Sequence, residues 1–292
     1  MSKFLSASDR SSLIRLASQL PKGSEERKAI LAGLSKVSAE EVNVIGKNIL
    51  ENAKVIKDGL VYGRASVKGH AEVSGKAQVY ENAQVSGHAK VWGKETEVSG
   101  NAKVSGNAQV YENAEVYGNA QVYDHALVED AQVYGNANVY GKAKVYGNAK
   151  VYGNANVYGD ADVFEQAEIY GDAEVSDKTQ VYDHAHVYDK AKIFGGAQVS
   201  NKTRVYGHAQ VYGTAQVSES AQVYGNAQVY GDAYVKGDAK IGGNARIGGT
   251  AEIWGGVWDG SEGEILEGKW RDPKNPIYWG TIRKFRLNFP KS

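Results

Sequence analysis

The chain has 292 residues, 34 basic and 34 acidic side chains, a formal net charge of zero and no cysteine. That balance gives no global field to recruit nucleic acid or an anionic membrane, and the missing thiols exclude disulfides and thiolate metal sites. No apolar run approaches the ~18 residues of a membrane span. The N-terminus lacks the apolar core of a secretory signal, so a soluble, non-secreted protein is the expectation.

Residues 1–40 read as a helical cap or docking segment. Ser8 or Ser11 starts a first helix in which Leu13, Leu16, Ala17 and Leu20 share one face. The stretch from Pro21 to Ser24 breaks it, and Ser24 N-caps a second helix with Glu25 and Glu26 near its positive end. The segment is slightly basic. It fits a cap on whatever follows or a surface for another protein better than a targeting helix, because of the adjacent glutamates.

From residue 41 to residue 256 a six-residue unit repeats. An aliphatic residue opens each hexad, from Ile49, Val55 and Val61 onward to Ile253. The unit at Val91 has seven residues and the unit at Val128 has five, so the two irregularities cancel. Cancellation points to a fixed number of hexads per turn. Position five is nearly always Ala, with Thr179 and Thr203 as departures, and positions three and four are mostly Gly followed by Asn, Asp or Lys. The alternation Ala-x-Val has the strand period of two. Gly followed by Asn or Asp is turn chemistry. Each hexad is therefore one short strand and one corner. Burying one Val and one Ala contributes ~2–3 kcal/mol, whereas ordering six backbones costs ~6–12 kcal/mol. A lone hexad is unstable, stacking is obligatory, and the end coils need covering.

An aliphatic residue followed four positions later by a small one, repeated every six, resembles the hexapeptide repeat of left-handed parallel β-helix proteins, over Ile49 to Gly256. The resemblance implies an all-β, triangular solenoid of about 18 residues per coil, with a crossing opposite to the usual right-handed rule. About 11 to 12 coils at a spacing of about 4.8 Å would reach ~55 Å. The family includes trimeric acyltransferases that use a histidine beside a loop extruded from a coil. This repeat has no extruded loop, which leaves little to build an acyl-donor pocket. The family also includes γ-class carbonic anhydrases, with zinc on three histidines. Here His70, His88, His125, His184 and His208 occupy position four, where Asn, Asp and Lys also stand. His70, His88, Asn107 and His125 fall on one corner, and solvated corner residues are the better reading. No catalytic residue, cofactor or metal ligand is assigned.

Position two is more informative. Sorting hexads by coil corner gives one column of Tyr62, Tyr80, Ser99, Tyr117, Tyr134, Tyr152, Tyr170, Tyr188, Tyr206, Tyr224 and Gly242. The other columns are broken by Ser, Lys, Glu, Trp or Phe. Tyr134, Tyr152, Tyr170, Tyr188, Tyr206 and Tyr224 are the candidate binding residues, because tyrosine is enriched at interfaces. The competing reading is that stacked rings only stiffen the strands.

Residues 257–292 leave the hexad and hold Trp258, Trp270, Tyr278, Trp279, Phe285 and Phe289. From Lys269 onward there are seven basic residues and one acidic residue. A C-terminal aromatic, basic cap or docking segment fits this better than a surface that stacks nucleic-acid bases. The whole reads as a non-enzymatic structural or assembly protein: a rigid rod acting as spacer, fibre or scaffold. Its expected protein partners attach through the N- and C-terminal segments, and the resemblance implies a homotrimer. Similar "VYGNA" arrays occur in bacteria and their phages, which implies a virion component or a cytoplasmic location. An acyltransferase-like enzyme is one alternative. A protein- or carbohydrate-binding rod using the tyrosine edge is another.

Overall fold

The computed structural model describes residues 49, 52–56 and 58–272, with residues 275–278 described through their backbone. The helical pair expected over 1–40 lies outside these residues, as do Trp279, Phe285 and Phe289. The chain divides into two compact units, Met1–His125 and Ala126–Ser292.

In the first unit, every third strand pairs in parallel. Lys54–Val55, Glu72–Gly75, Lys90–Gly93 and Gln109–Tyr111 form one sheet. Leu60–Val61, Gln78–Val79, Glu97–Val98 and Glu115–Val116 form the second. Ser66–Val67, Gln84–Val85, Lys103–Val104 and Gln121–Val122 form the third. The second unit repeats the plan, opening with Leu127–Glu129, Asn138–Val139 and Gln132–Val133, each in a different sheet. Its pairing is regular at 18 residues, as in Lys150↔Glu168 and Val151↔Ile169. Three short strands therefore make one coil, and each unit is a parallel β-solenoid.

Side chains explain the interior. Ala149, Val151, Ala155 and Val157 are all 0% exposed, and the same two columns are buried in both units from Val61 to Ile253. Their small volumes let three sheets approach within one narrow core, which larger residues would overfill.

Backbone polar groups are satisfied between coils. Lys150 N–H donates to the Ala167 carbonyl at 2.9 Å, Tyr152 N–H to Ile169 at 2.9 Å and Asn154 N–H to Gly171 at 2.7 Å. Gly153 makes the corner at φ 71°. A side chain there would strain the backbone and push its Cβ to 2.9 Å from the Gly171 nitrogen.

Where an acid replaces the corner glycine, it compensates for the left-handed conformation. Asp177, Asp183 and Asp189 have φ of 60°, 58° and 56°. Their carboxylates accept the corner N–H one coil onward: Gly195 at 2.9 Å, Asn201 at 3.1 Å and Gly207 at 3.1 Å. The side chain thus supplies an acceptor for an amide that faces outward at the turn.

Both irregular units are absorbed locally. In the seven-residue unit Gly93 adopts φ 134°. Thr96 takes the buried alanine place, with its hydroxyl 2.6 Å from the Trp92 carbonyl and 2.7 Å from the Glu112 carbonyl. Register resumes at Gln78↔Glu97. In the five-residue unit Asp130 turns at φ 48°, and Gln132↔Lys150 is back in step.

The repeat's spelling stops at Gly256, but its ladder runs on. Ile241 pairs with Trp258, Ile247 with Ile265 and Ile253 with Trp270. Trp258 is 1% exposed and donates its indole N–H to the Gly255 carbonyl at 2.8 Å. Trp270 meets it edge-on at 5.9 Å. Lys269–Asp272 then pairs antiparallel with Asn275–Tyr278, so this parallel sheet closes on a hairpin. Among the described residues no helix is long and apolar enough to cross a membrane.

Candidate functional site

Position two lies just outside the buried valine, at the mouth of the corner. A ring placed there extends over the coil edge and meets the ring 18 residues away. In the second unit the six candidate tyrosines form an unbroken stack. Ring centroids are 4.8 Å apart for Tyr134–Tyr152 and 4.9 Å for both Tyr152–Tyr170 and Tyr170–Tyr188. Tyr188–Tyr206 is 5.0 Å and Tyr206–Tyr224 is 5.4 Å, with planes within 11° throughout. The spacing is that of the β-ladder itself. All six rings are half-buried. Tyr224 ends the stack by lying across Gly242, where any Cβ would collide with its ring. In the first unit Tyr62 and Tyr80 stack at 5.1 Å but are only 3% and 2% exposed.

A row of charged residues runs beside the stack on the neighbouring strand positions. Tyr152 donates its hydroxyl to Glu168 at 3.1 Å. Glu168 also faces Lys150 Nζ at 3.5 Å and His186 Nδ1 at 3.7 Å. His186 stands edge-on to Tyr170, with centroids 6.4 Å apart. Burial pushes the phenols of Tyr152, Tyr170, Tyr188 and Tyr206 above their ordinary 10.0, and the Glu168 carboxylate adds to this at Tyr152. The hydroxyls are therefore neutral donors at physiological pH. The strip presents a row of half-buried ring edges with a mixed-charge border, the ring faces being covered by one another.

The other two edges carry shorter aromatic runs that sequence reasoning read only as broken columns. Tyr146, Phe164 and Tyr182 stack at 4.9 Å per step. Tyr140 stacks on Tyr158 at 4.9 Å, and Phe194 and Tyr212 continue to Tyr230 at 4.8 and 5.3 Å. The signal was present: each pair is one coil apart.

The corner histidines sit where position four places them. His70 and His88 stack at 4.9 Å, and Asn107 Nδ2 lies 3.3 Å from His125 Nε2. Among the described residues no group of three or more His, Cys, Asp or Glu side chains converges to hold a metal ion.

Residues 131–147 match the family model described as YdcK Beta solenoid repeat. The match falls in the second unit and contains Tyr134, Tyr140 and Tyr146, one position-two residue from each edge. It agrees with the coil geometry around it. No curated protein matches the chain.

Proposed function

We propose that the protein is a non-enzymatic structural scaffold, a β-solenoid spacer or fibre element that associates through the tyrosine strip from Tyr134 to Tyr224. The observation that carries this reading is the uninterrupted six-ring stack, half-buried along its length and ended by a glycine. Tight corners support it too. Hexads from Val133 to Ile253 turn without an extruded loop, so the regular surface, and not a pocket-forming insertion, dominates that stretch. A phage virion or a bacterial assembly is the setting for such an element, with the terminal segments as further attachment points.

The test is Tyr152→Ser, Tyr170→Ser and Tyr188→Ser in one chain. Serine occupies the same hexad position at Ser176, Ser200 and Ser218, so the coil accommodates it. Each lost ring contact at a hot spot costs ~1–2 kcal/mol of association. Sedimentation velocity should show the variant shifted to a smaller species, and immobilised variant should retain less of any partner held by the parent protein. An unchanged oligomer and an unchanged partner set would reduce the strip to a stiffener.

A further inference from the structure

The edge through Tyr182 is interrupted by two consecutive serines, Ser200 and Ser218, and the interruption is a cavity of about 250 Å³. Tyr182 roofs it. Phe164 covers the ring's other face at 4.9 Å, and the face toward Ser200 lines the cavity. Ser200 and Ser218 form the back wall, and the buried Ser218 hydroxyl has no hydrogen-bond partner. Tyr234 makes the floor, standing in a row otherwise held here by Gln198 and Gln216. The next position-two residue, Lys236, does not refill the edge. Its ammonium lies over the rings of Trp254 at 4.2 Å and Tyr234 at 4.8 Å. At 4.9 Å per aromatic step in this edge, two missing side chains leave room for two stacked rings.

The lip is acidic. Asp183 and Glu219 line it, and no basic side chain does. Glu165 adds a third carboxylate one coil away, accepting the Asp183 N–H at 3.0 Å. We infer that this gap is a binding slot for a flat aromatic cation, which stacks on Tyr182 and is held electrostatically by Asp183 and Glu219. Stacking on the open face of Tyr182, cation–π attraction to that ring and the nearby carboxylates favour the same ligand chemistry, whereas the Lys236 ammonium already occupies the Tyr234 ring. A second gap of about 250 Å³ differs in carrying a basic side chain on its lip. Ser176 stands between Tyr158 and Phe194, beside Glu174, Asp177 and Lys192.

The probe is N-methylquinolinium, a flat bicyclic cation, with neutral quinoline as its uncharged counterpart. Equilibrium titration of the full chain should show the cation binding at least threefold more tightly than quinoline. The double substitution Ser200→Tyr and Ser218→Tyr completes the edge with the residue used elsewhere at this position, and should weaken cation binding at least tenfold. This variant has more stacked tyrosine surface than the parent chain. A probe that merely adheres to aromatic edges would bind it equally well or better, and that result would overturn the slot. If the double variant does not fold, as judged by circular dichroism, Tyr182→Ser removes the roof and should give a similar tenfold loss. Unchanged affinity in that variant also sinks the inference, and so does equal binding of quinoline.

Discussion

Two edges of the second unit share one backbone and one core, yet present different surfaces. Along one, Tyr134 to Tyr224 stack without a break. Along the other, Tyr146, Phe164 and Tyr182 stack and then give way to Ser200, Ser218 and Lys236. Valines and alanines behind both are equally buried. The contrast shows that the fold is written at positions one and five of the hexad, while the character of each edge is written at position two. An edge can therefore change from wall to slot without any cost to the core.

The largest effect should come from removing the wall. Changing Tyr152, Tyr170 and Tyr188 together to serine abolishes the stacked contacts from Tyr134 through to Tyr206. At about 0.5–1.5 kcal/mol per contact, the total loss is about 2–6 kcal/mol. Chemical denaturation should show a lower midpoint while the far-ultraviolet spectrum of the folded chain is retained. An unshifted midpoint would mean the rings stand side by side without stabilising one another.

The claim that the core is separate from the edges is tested by Ala149→Leu. Ala149 is 0% exposed, and overpacking its column should cost about 1–3 kcal/mol. Leucine at the adjacent Lys150 should change stability by no more than about 0.5 kcal/mol. That side chain is 42% exposed and forgoes only a 3.5 Å ion pair with Glu168. Equal effects at the two sites would break the inward–outward assignment on which the comparison rests.

Alkaline pH should act on the tyrosine stack more gently. The folded phenols of Tyr152, Tyr170, Tyr188 and Tyr206 lie above 10.0, where the unfolded chain titrates. Above that value the unfolded state loses protons first, so this contribution to stability is complete below about pH 10 and declines as pH rises. Phenolate absorbance followed alongside unfolding should show a late-titrating fraction in the parent chain. The triple serine variant should lose much of that fraction and show a shallower decline.

Much of this organisation was legible in the sequence. Period six, the small residue at position five and the compensating units at Val91 and Val128 lead to one strand and one corner per hexad and a fixed number of hexads per turn, and the family resemblance supplied the 18-residue coil at which the strands pair. Sorting position two by coil found the tyrosine stack. The cavities were not legible, because Ser200 and Ser218 read as mere interruptions. An interruption becomes a slot only when its neighbours keep it open, as Tyr182 does with its ring and Lys236 does by turning onto Trp254. The continuation past Gly256 was hidden for another reason. Trp258, Ile265 and Trp270 occupy the ladder at uneven intervals, and two of them are tryptophans where the pattern asks for valine or isoleucine. Nor did composition reveal why acids serve as corner residues, since their carboxylates bond an amide in the next coil.

The pairing distance of 18 residues also bears on how such a gene can lengthen or shorten. Near-identical copies invite unequal recombination. Gain or loss of 18 residues inserts or removes one whole coil, and every remaining side chain in a regular stretch keeps the kind of neighbour it had. Gain or loss of six residues preserves the core but turns everything downstream by one edge, so Tyr188 would follow a different column from Tyr152. Selection for a straight tyrosine strip would therefore admit length changes only in whole coils, whereas selection for the core alone would admit any multiple of a hexad.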